Sequence, residues 1–176
     1  MIKNINKISI IGGPGTGKTT LAKNLGKSLN LPVYHIDGIH HLENWQIRDK
    51  KERDKIILDI IKNSKWIMDG TYSSTLEMRM QNSDLIIFLN YSTYARLKGI
   101  FTRYFKNKNA KTPEIPGCKE RINIKFLKTT LNWNKTKGKK VNNILEKYYY
   151  KKILVFKNRT QLNNWYEKEF NKAIEI

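Results

Sequence analysis

Residues 12 to 19 read Gly-Gly-Pro-Gly-Thr-Gly-Lys-Thr, which is Gly, four residues, then Gly-Lys-Thr. An apolar run, Ile8-Ser9-Ile10-Ile11, precedes it and a helical pattern, Leu21-Ala22-Lys23-Asn24-Leu25, follows. Strand, glycine loop and helix in that order are what a phosphate-binding loop requires. Glycines let the backbone curl until several N–H groups face one concavity. The helix opening near Gly17 adds its positive dipole end. Lys18 brings a mobile charge for the outer phosphates, and Thr19 a hydroxyl for Mg²⁺. A glycine-rich turn capping an ordinary helix is the plainer reading, but it does not need the lysine, the threonine and the strand together. The loop speaks for a nucleoside triphosphate and is silent on what receives the phosphate.

Two further apolar runs close on Asp-Gly pairs, Asp37-Gly38 and Asp69-Gly70. In an open parallel sheet, ligands bind beyond the carboxyl ends of the strands. Both acids are therefore expected on the same edge as Lys18. A carboxylate there orients Mg²⁺ through water or accepts the proton of an attacking hydroxyl. The alternative is that Asp-Gly is a turn signal and no more. Arg48, Arg53 and Arg79 are of the type that grips an anionic acceptor in two-pronged fashion, or they are surface ion pairs. Trp45 and Tyr72 suit stacking on a ring, or a place in the core or pocket wall. His40 and His41 have no Cys or carboxylate at zinc spacing.

These residues need a scaffold, and the periodicity supplies one. Strands are expected at Lys7–Ile11, Val33–Ile36, Lys65–Met68, Asp84–Asn90 and Lys152–Phe156, the runs being nearly all apolar as in a sheet buried on both faces. Helices are expected from the glycine loop to Asn30, at Asp49–Asn63, Thr71–Met80, Ser92–Phe105, Lys119–Asn134, Lys139–Tyr150 and Gln161–Ala173, with Ile39–Arg48 irregular and Lys106–Gly117 a loop. Alternating strands and helices give an α/β fold with a parallel sheet and right-handed crossovers. One domain spanning 1–176 is expected, with 104–140 as a lid or insert.

The chain has 176 residues, 39% hydrophobic and 28% charged, enough for a real core. No apolar run approaches the ~18 residues of a membrane helix. Met1 to Lys7 contains no signal-peptide apolar region, and Cys118 is the sole cysteine, so a cytoplasmic protein is expected. Net charge is +19. Seventeen of the 34 Lys and Arg, but only three of the 15 acids, fall between Arg96 and Lys152. That imbalance suits a lid closing over phosphates, a polyanionic partner such as nucleic acid, or solvated helix faces in a Lys/Asn-rich chain.

The loop and the stretch Lys65-Trp-Ile-Met-Asp-Gly-Thr-Tyr-Ser-Ser-Thr-Leu-Glu-Met-Arg79 resemble the nucleoside monophosphate kinases. Adding His35-Ile36-Asp37, Trp45, the Asp84…Asn90 strand, Gly117-Cys118-Lys119-Glu120-Arg121 and Trp133, nearly the whole chain resembles the adenylate kinase-related bacterial DNA topology modulation (FlaR-like) proteins. The resemblance implies a three-layer P-loop kinase-like fold with strand order 2-3-1-4-5, and ATP or GTP with Mg²⁺. It implies that Gly12, Gly13, Pro14, Gly15, Thr16, Gly17, Lys18, Thr19 and Thr20 hold the triphosphate. Asp69 then lies near metal or acceptor, Asp37 where the acceptor is met, and Arg159 follows the fifth strand, where this superfamily places the adenine; Arg48, Tyr72 and Arg79 stay acceptor-side candidates on their residue type alone. The lid arginine matches at Arg103. Its usual partner four residues earlier falls at Gly99, with Arg96 and Lys98 nearby as substitutes, and an acid often found at position 90 is Asn90. Three functions fit: a phosphotransferase acting on a small or nucleotide-like acceptor, or a nucleotide hydrolase; a nucleic-acid-associated ATP-binding protein or ATPase modulating DNA topology; and a nucleotide sensor without turnover.

Overall fold

The computed structural model describes residues 2, 4–107, 115, 118 and 122–175. Five parallel strands, β1 (Lys7–Gly12), β2 (Val33–His35), β3 (Trp66–Asp69), β4 (Leu85–Leu89) and β5 (Lys152–Phe156), form one sheet in the order β2-β3-β1-β4-β5. The expected α/β architecture and strand order are those observed. Eight α-helices are seen among the described residues: α1 (Lys18–Leu29), α2 (Ile36–His40), α3 (Lys50–Lys62), α4 (Ser73–Gln81), α5 (Thr93–Asn107), α6 (Ile124–Leu131), α7 (Lys137–Lys147) and α8 (Arg159–Phe170).

Side chains alternate across the strands, and helices cover both faces. Ile8, Ile10, Ile67, Leu85 and Ile87 meet Leu21 and Leu25 of α1 and Leu162 and Tyr166 of α8. On the opposite face Ile11, Ile86 and Phe88 meet Leu76 and Met80 of α4 and Val141 and Leu145 of α7. Trp66 and Met68 pack there on Ile57, Ile60 and Ile61 of α3. Helix ends follow side-chain chemistry. Asp49 caps α3 by accepting from the Lys51 and Glu52 amides, and Asn158 caps α8 by accepting from Gln161. Asn30 ends α1 in the left-handed region at φ 52°.

Several expected boundaries shift. β2 stops at His35, so Asp37 belongs to the first turn of the short helix α2 and does not end the strand. The stretch expected to be irregular, Ile39–Arg48, holds the end of that helix and a 3-10 turn at Glu43–Trp45. The expected helix 119–134 is α6 followed by a second 3-10 turn at Trp133–Lys135, because Asn123, not Lys119, caps it. Of the expected lid 104–140, residues 108–114, 116–117 and 119–121 lie outside the described residues.

Candidate functional site

Parallel register brings the strand ends level. Ile10 and His35 both pair with Asp69, and Gly12 pairs with Leu89. The glycine loop therefore leaves β1 beside the carboxyl end of β3, as the strand-end rule anticipates. Gly17 caps α1 at φ 85°, a conformation that favours glycine, and the helix opens directly at Lys18.

The structure joins residues the sequence keeps apart. Thr19 Oγ1 donates to Asp69 Oδ2 at 2.8 Å. Asp69 Oδ1 lies 2.6 Å from His35 Nδ1. Lys18 Nζ donates to the Gly13 carbonyl at 2.8 Å, which also accepts from Thr16 Oγ1 at 2.9 Å. Burial lowers the Lys18 pKa, the Asp37 and Asp69 carboxylates oppose that, and Arg103 adds to it. Lys18, both acids and Arg103 thus share one electrostatic neighbourhood. Asp37 is exposed and its Oδ1 accepts from the Tyr72 hydroxyl at 3.1 Å. Burial, then Asp37, pushes the Tyr72 phenol far up, so it stays a donor.

Behind the loop lies a support that the sequence signalled only as an anomaly. A Cβ on Gly99 would lie 2.1 Å from the Gly15 carbonyl oxygen, so helix α5 packs backbone to backbone on the phosphate loop. This accounts for the glycine at 99, where no side chain fits. Arg96 does not stand in for the usual partner of the lid arginine. Its guanidinium is fully buried and donates to the Tyr91 and Thr130 carbonyls, Asn134 Oδ1 and Thr93 Oγ1. Its Cδ would be 2.5 Å from a Cβ on Gly13, so Arg96 props the loop from behind. The Thr71 hydroxyl ties the loop from the other side, accepting from the Gly12 amide at 3.1 Å and donating to its carbonyl at 3.0 Å.

The arginines expected on the acceptor side are mostly committed elsewhere. Arg48 pairs with Glu52 and donates to the Ile39 carbonyl at 2.8 Å. Arg53 pairs with Asp54, donates to Ser74 and lies over the Tyr72 ring at 5.4 Å. Arg79 is 0% exposed and donates to the Gly70 carbonyl, so it braces the Asp69 loop and does not face solvent. Arg159 stands at the start of α8, its Nη2 3.4 Å from where a Gly17 Cβ would be. Around the mouth, His40 meets Tyr72 at a tilt and His41 edge to face, and His41 meets Trp45 edge to face, with centroids 4.6, 4.6 and 5.2 Å apart. Cys118 is buried and accepts from the Trp45 amide. Sequence reasoning missed His35, Thr71 and the role of Gly99; for His35 the signal was its place at a strand end two residues before Asp37.

Among the described residues, no three His, Cys, Asp or Glu side chains converge as a cation cage. The Thr19–Asp69 pair fits Mg²⁺ carried in by phosphates, because Mg²⁺ retains waters and takes few protein ligands. Thr19 donates its hydrogen to Asp69 and keeps its oxygen lone pairs for the ion. No helix among the described residues is long and apolar enough to cross a membrane.

Comparison with known proteins agrees with this layout. The model of the ATPase family associated with various cellular activities (AAA) matches residues 8–90. No curated protein matches the chain. Among solved structures, shikimate kinase from Acinetobacter baumannii in complex with shikimate is similar at TM-score 0.56 and 13% identity, covering 99% of this chain and 98% of its own. Shikimate kinase from Bacteroides thetaiotaomicron follows at 0.54 and 15%, covering 96% and 99%. That from Aquifex aeolicus stands at 0.51 and 17%, covering 93% and 97%. Likeness at these identities establishes the fold, and the fold of this chain is the one these shikimate kinases share.

Proposed function

We infer that the chain is an ATP-dependent phosphotransferase that binds Mg-ATP at residues 12–20 and moves the γ-phosphoryl group to a small hydroxyl-bearing or nucleotide-like acceptor. The observation that carries this reading is the 2.8 Å bond between Thr19 and Asp69, which sets a metal-type hydroxyl and a carboxylate against Lys18 at one sheet edge. The fold shared with shikimate kinases supports it.

In this reading the amides of Gly13 and of Gly15 to Thr19, with the α1 N-terminus, hold the phosphates. Lys18 leaves the Gly13 carbonyl for the outer phosphates and neutralises charge as it spreads onto the transferred group. Bound Mg²⁺ would supply Lewis-acid stabilisation of the phosphate oxygens, held by Thr19 and oriented by Asp69. Asp37, exposed beside Tyr72, accepts the proton of the acceptor hydroxyl. Arg103 approaches as the lid cation, and Arg159 lies by the base. Phosphoryl transfer asks little covalent work of the protein, so positioning and charge carry the rate. GTP in place of ATP, placement in the cytoplasm, and membership of the topology-modulation family rest on the sequence motifs.

Lys18→Ala is expected to abolish ATP turnover while the thermal midpoint stays within a few degrees of the parent. Turnover unchanged in that variant refutes the reading. The basic segment 96–152 favours a second reading, contact with nucleic acid. Its sign is DNA binding whose affinity falls steeply and linearly on a log–log salt plot.

A further inference from the structure

The Asp69 carboxylate is 4% exposed and both of its oxygens are engaged, Oδ2 by Thr19 and Oδ1 by His35. A carboxylate accepts, so His35 Nδ1 carries the proton in the 2.6 Å bond. The parallel β2–β3 register sets His35 directly opposite Asp69, which makes the contact a property of the sheet and not of a loop. An aspartate has two torsions, and one bond from Thr19 leaves the carboxylate free to rotate about Cβ–Cγ. A second donor on the other oxygen removes that freedom and fixes the direction in which the Thr19 hydroxyl donates. The Thr19 lone pairs are then directed too, because the hydroxyl hydrogen is committed.

We propose that His35 is a positioning residue for the metal-bearing side of the site: through Asp69 it sets the orientation of the Thr19 oxygen that would meet a phosphate-borne divalent cation. The proposal rests on the nucleotide-binding reading of residues 12–20 and goes beyond it, since neither the loop pattern nor the Asp-Gly pairs assign His35 a part. Partners that hydrogen-bond a metal ligand typically affect metal affinity roughly 10- to 100-fold; His35 acts one bond further out, through Asp69, so the lower end of that range is expected. Asparagine offers an amide N–H at the place of Nδ1 and alanine offers none, so His35→Asn and His35→Ala separate the hydrogen bond from the bulk of the ring.

The test measures Mn²⁺ affinity by electron paramagnetic resonance on the full chain saturated with a non-hydrolysable ATP analogue. In parallel, analogue affinity is titrated in EDTA. Expected for His35→Ala is a loss of Mn²⁺ affinity of roughly 10-fold, with metal-free analogue affinity within about twofold of the parent, and recovery of most of the loss in His35→Asn. Equal Mn²⁺ affinity in parent and His35→Ala overturns the proposal. So does an equal loss with and without metal, which marks a purely structural role, and so does failure of His35→Asn to rescue. A parent protein that binds no analogue in either condition overturns the nucleotide reading itself, and the proposal with it.

Discussion

Gly99→Ala tests the claim that helix α5 is the back wall of the phosphate loop. The added Cβ would lie 2.1 Å from the Gly15 carbonyl oxygen, roughly 1.3 Å short of an ordinary contact of 3.4 Å. Both sides of this contact are backbone, so no side chain can rotate away, and either the helix or the loop has to move. Overpacking of this kind costs about 3 kcal/mol at the upper end of the usual range. Alanine returns about 1 kcal/mol of helix propensity. A net loss of about 2 kcal/mol follows, or roughly 4–8 °C in a domain of this size. Displacement of the loop by about 1 Å lowers turnover on the order of 100-fold. The assay is thermal unfolding with parallel titration of an ATP analogue, and Thr102→Ala, exposed on the same helix, is the control expected to do nothing. Gly99→Arg, which restores the lid pattern of the resembling kinases, is expected to be worse than Gly99→Ala. A Gly99→Ala protein as stable as the parent, with the same nucleotide affinity, refutes the packing argument.

Other consequences are read more simply. Arg96→Lys keeps the charge but not the fork that serves four acceptors, and a loss of about 2–3 kcal/mol is expected from the unpaired buried carbonyls; the urea midpoint reads it. Asp37→Asn is expected to lower turnover at least ~100-fold with nucleotide affinity retained, since the proton acceptor is lost and the phosphate loop is not touched; product formation against analogue titration checks the split. Burial, then His41 and Arg53, holds the His40 pKa below its usual 6.5, against the pull of Asp37. On acidification the unfolded chain takes up this proton first, so His40 costs stability progressively from about pH 6.5 down to its lowered folded value. His40→Gln is therefore expected to flatten that part of the stability–pH curve, and equal slopes for both proteins over that window would contradict it.

Much of the fold was legible because parallel strands are short apolar runs between turn signals, and β5 appears at its expected limits. The order of the strands came with the resemblance. Asp37 was expected to close the strand because Asp-Gly reads as a strand-closing turn; a short helix that opens at Ile36, directly after His35, has no periodicity to reveal it. The arginines misled for a physical reason. Arg79 and Arg96 look like solvent-facing helix cations, yet each is 0% exposed, with its guanidinium on backbone carbonyls. Burial of a long cation depends on acceptors outside its own helix, the preceding loop at Gly70 for Arg79 and the separate helix α6 at Thr130 for Arg96, and helical periodicity does not carry that. Gly99 showed the converse: a departure from an expected motif recorded a backbone contact between two elements far apart in the chain.

The account stands most directly on the fate of the γ-phosphate. With γ-labelled Mg-ATP and a panel of sugars, hydroxy acids, nucleosides and nucleotides, the label is expected to leave ATP and appear on a phosphorylated acceptor, and to do neither with Lys18→Ala. Label that stays on ATP with every acceptor, or leaves it at the same rate in both proteins, contradicts the assignment of residues 12–20 as the donor site of a phosphotransferase.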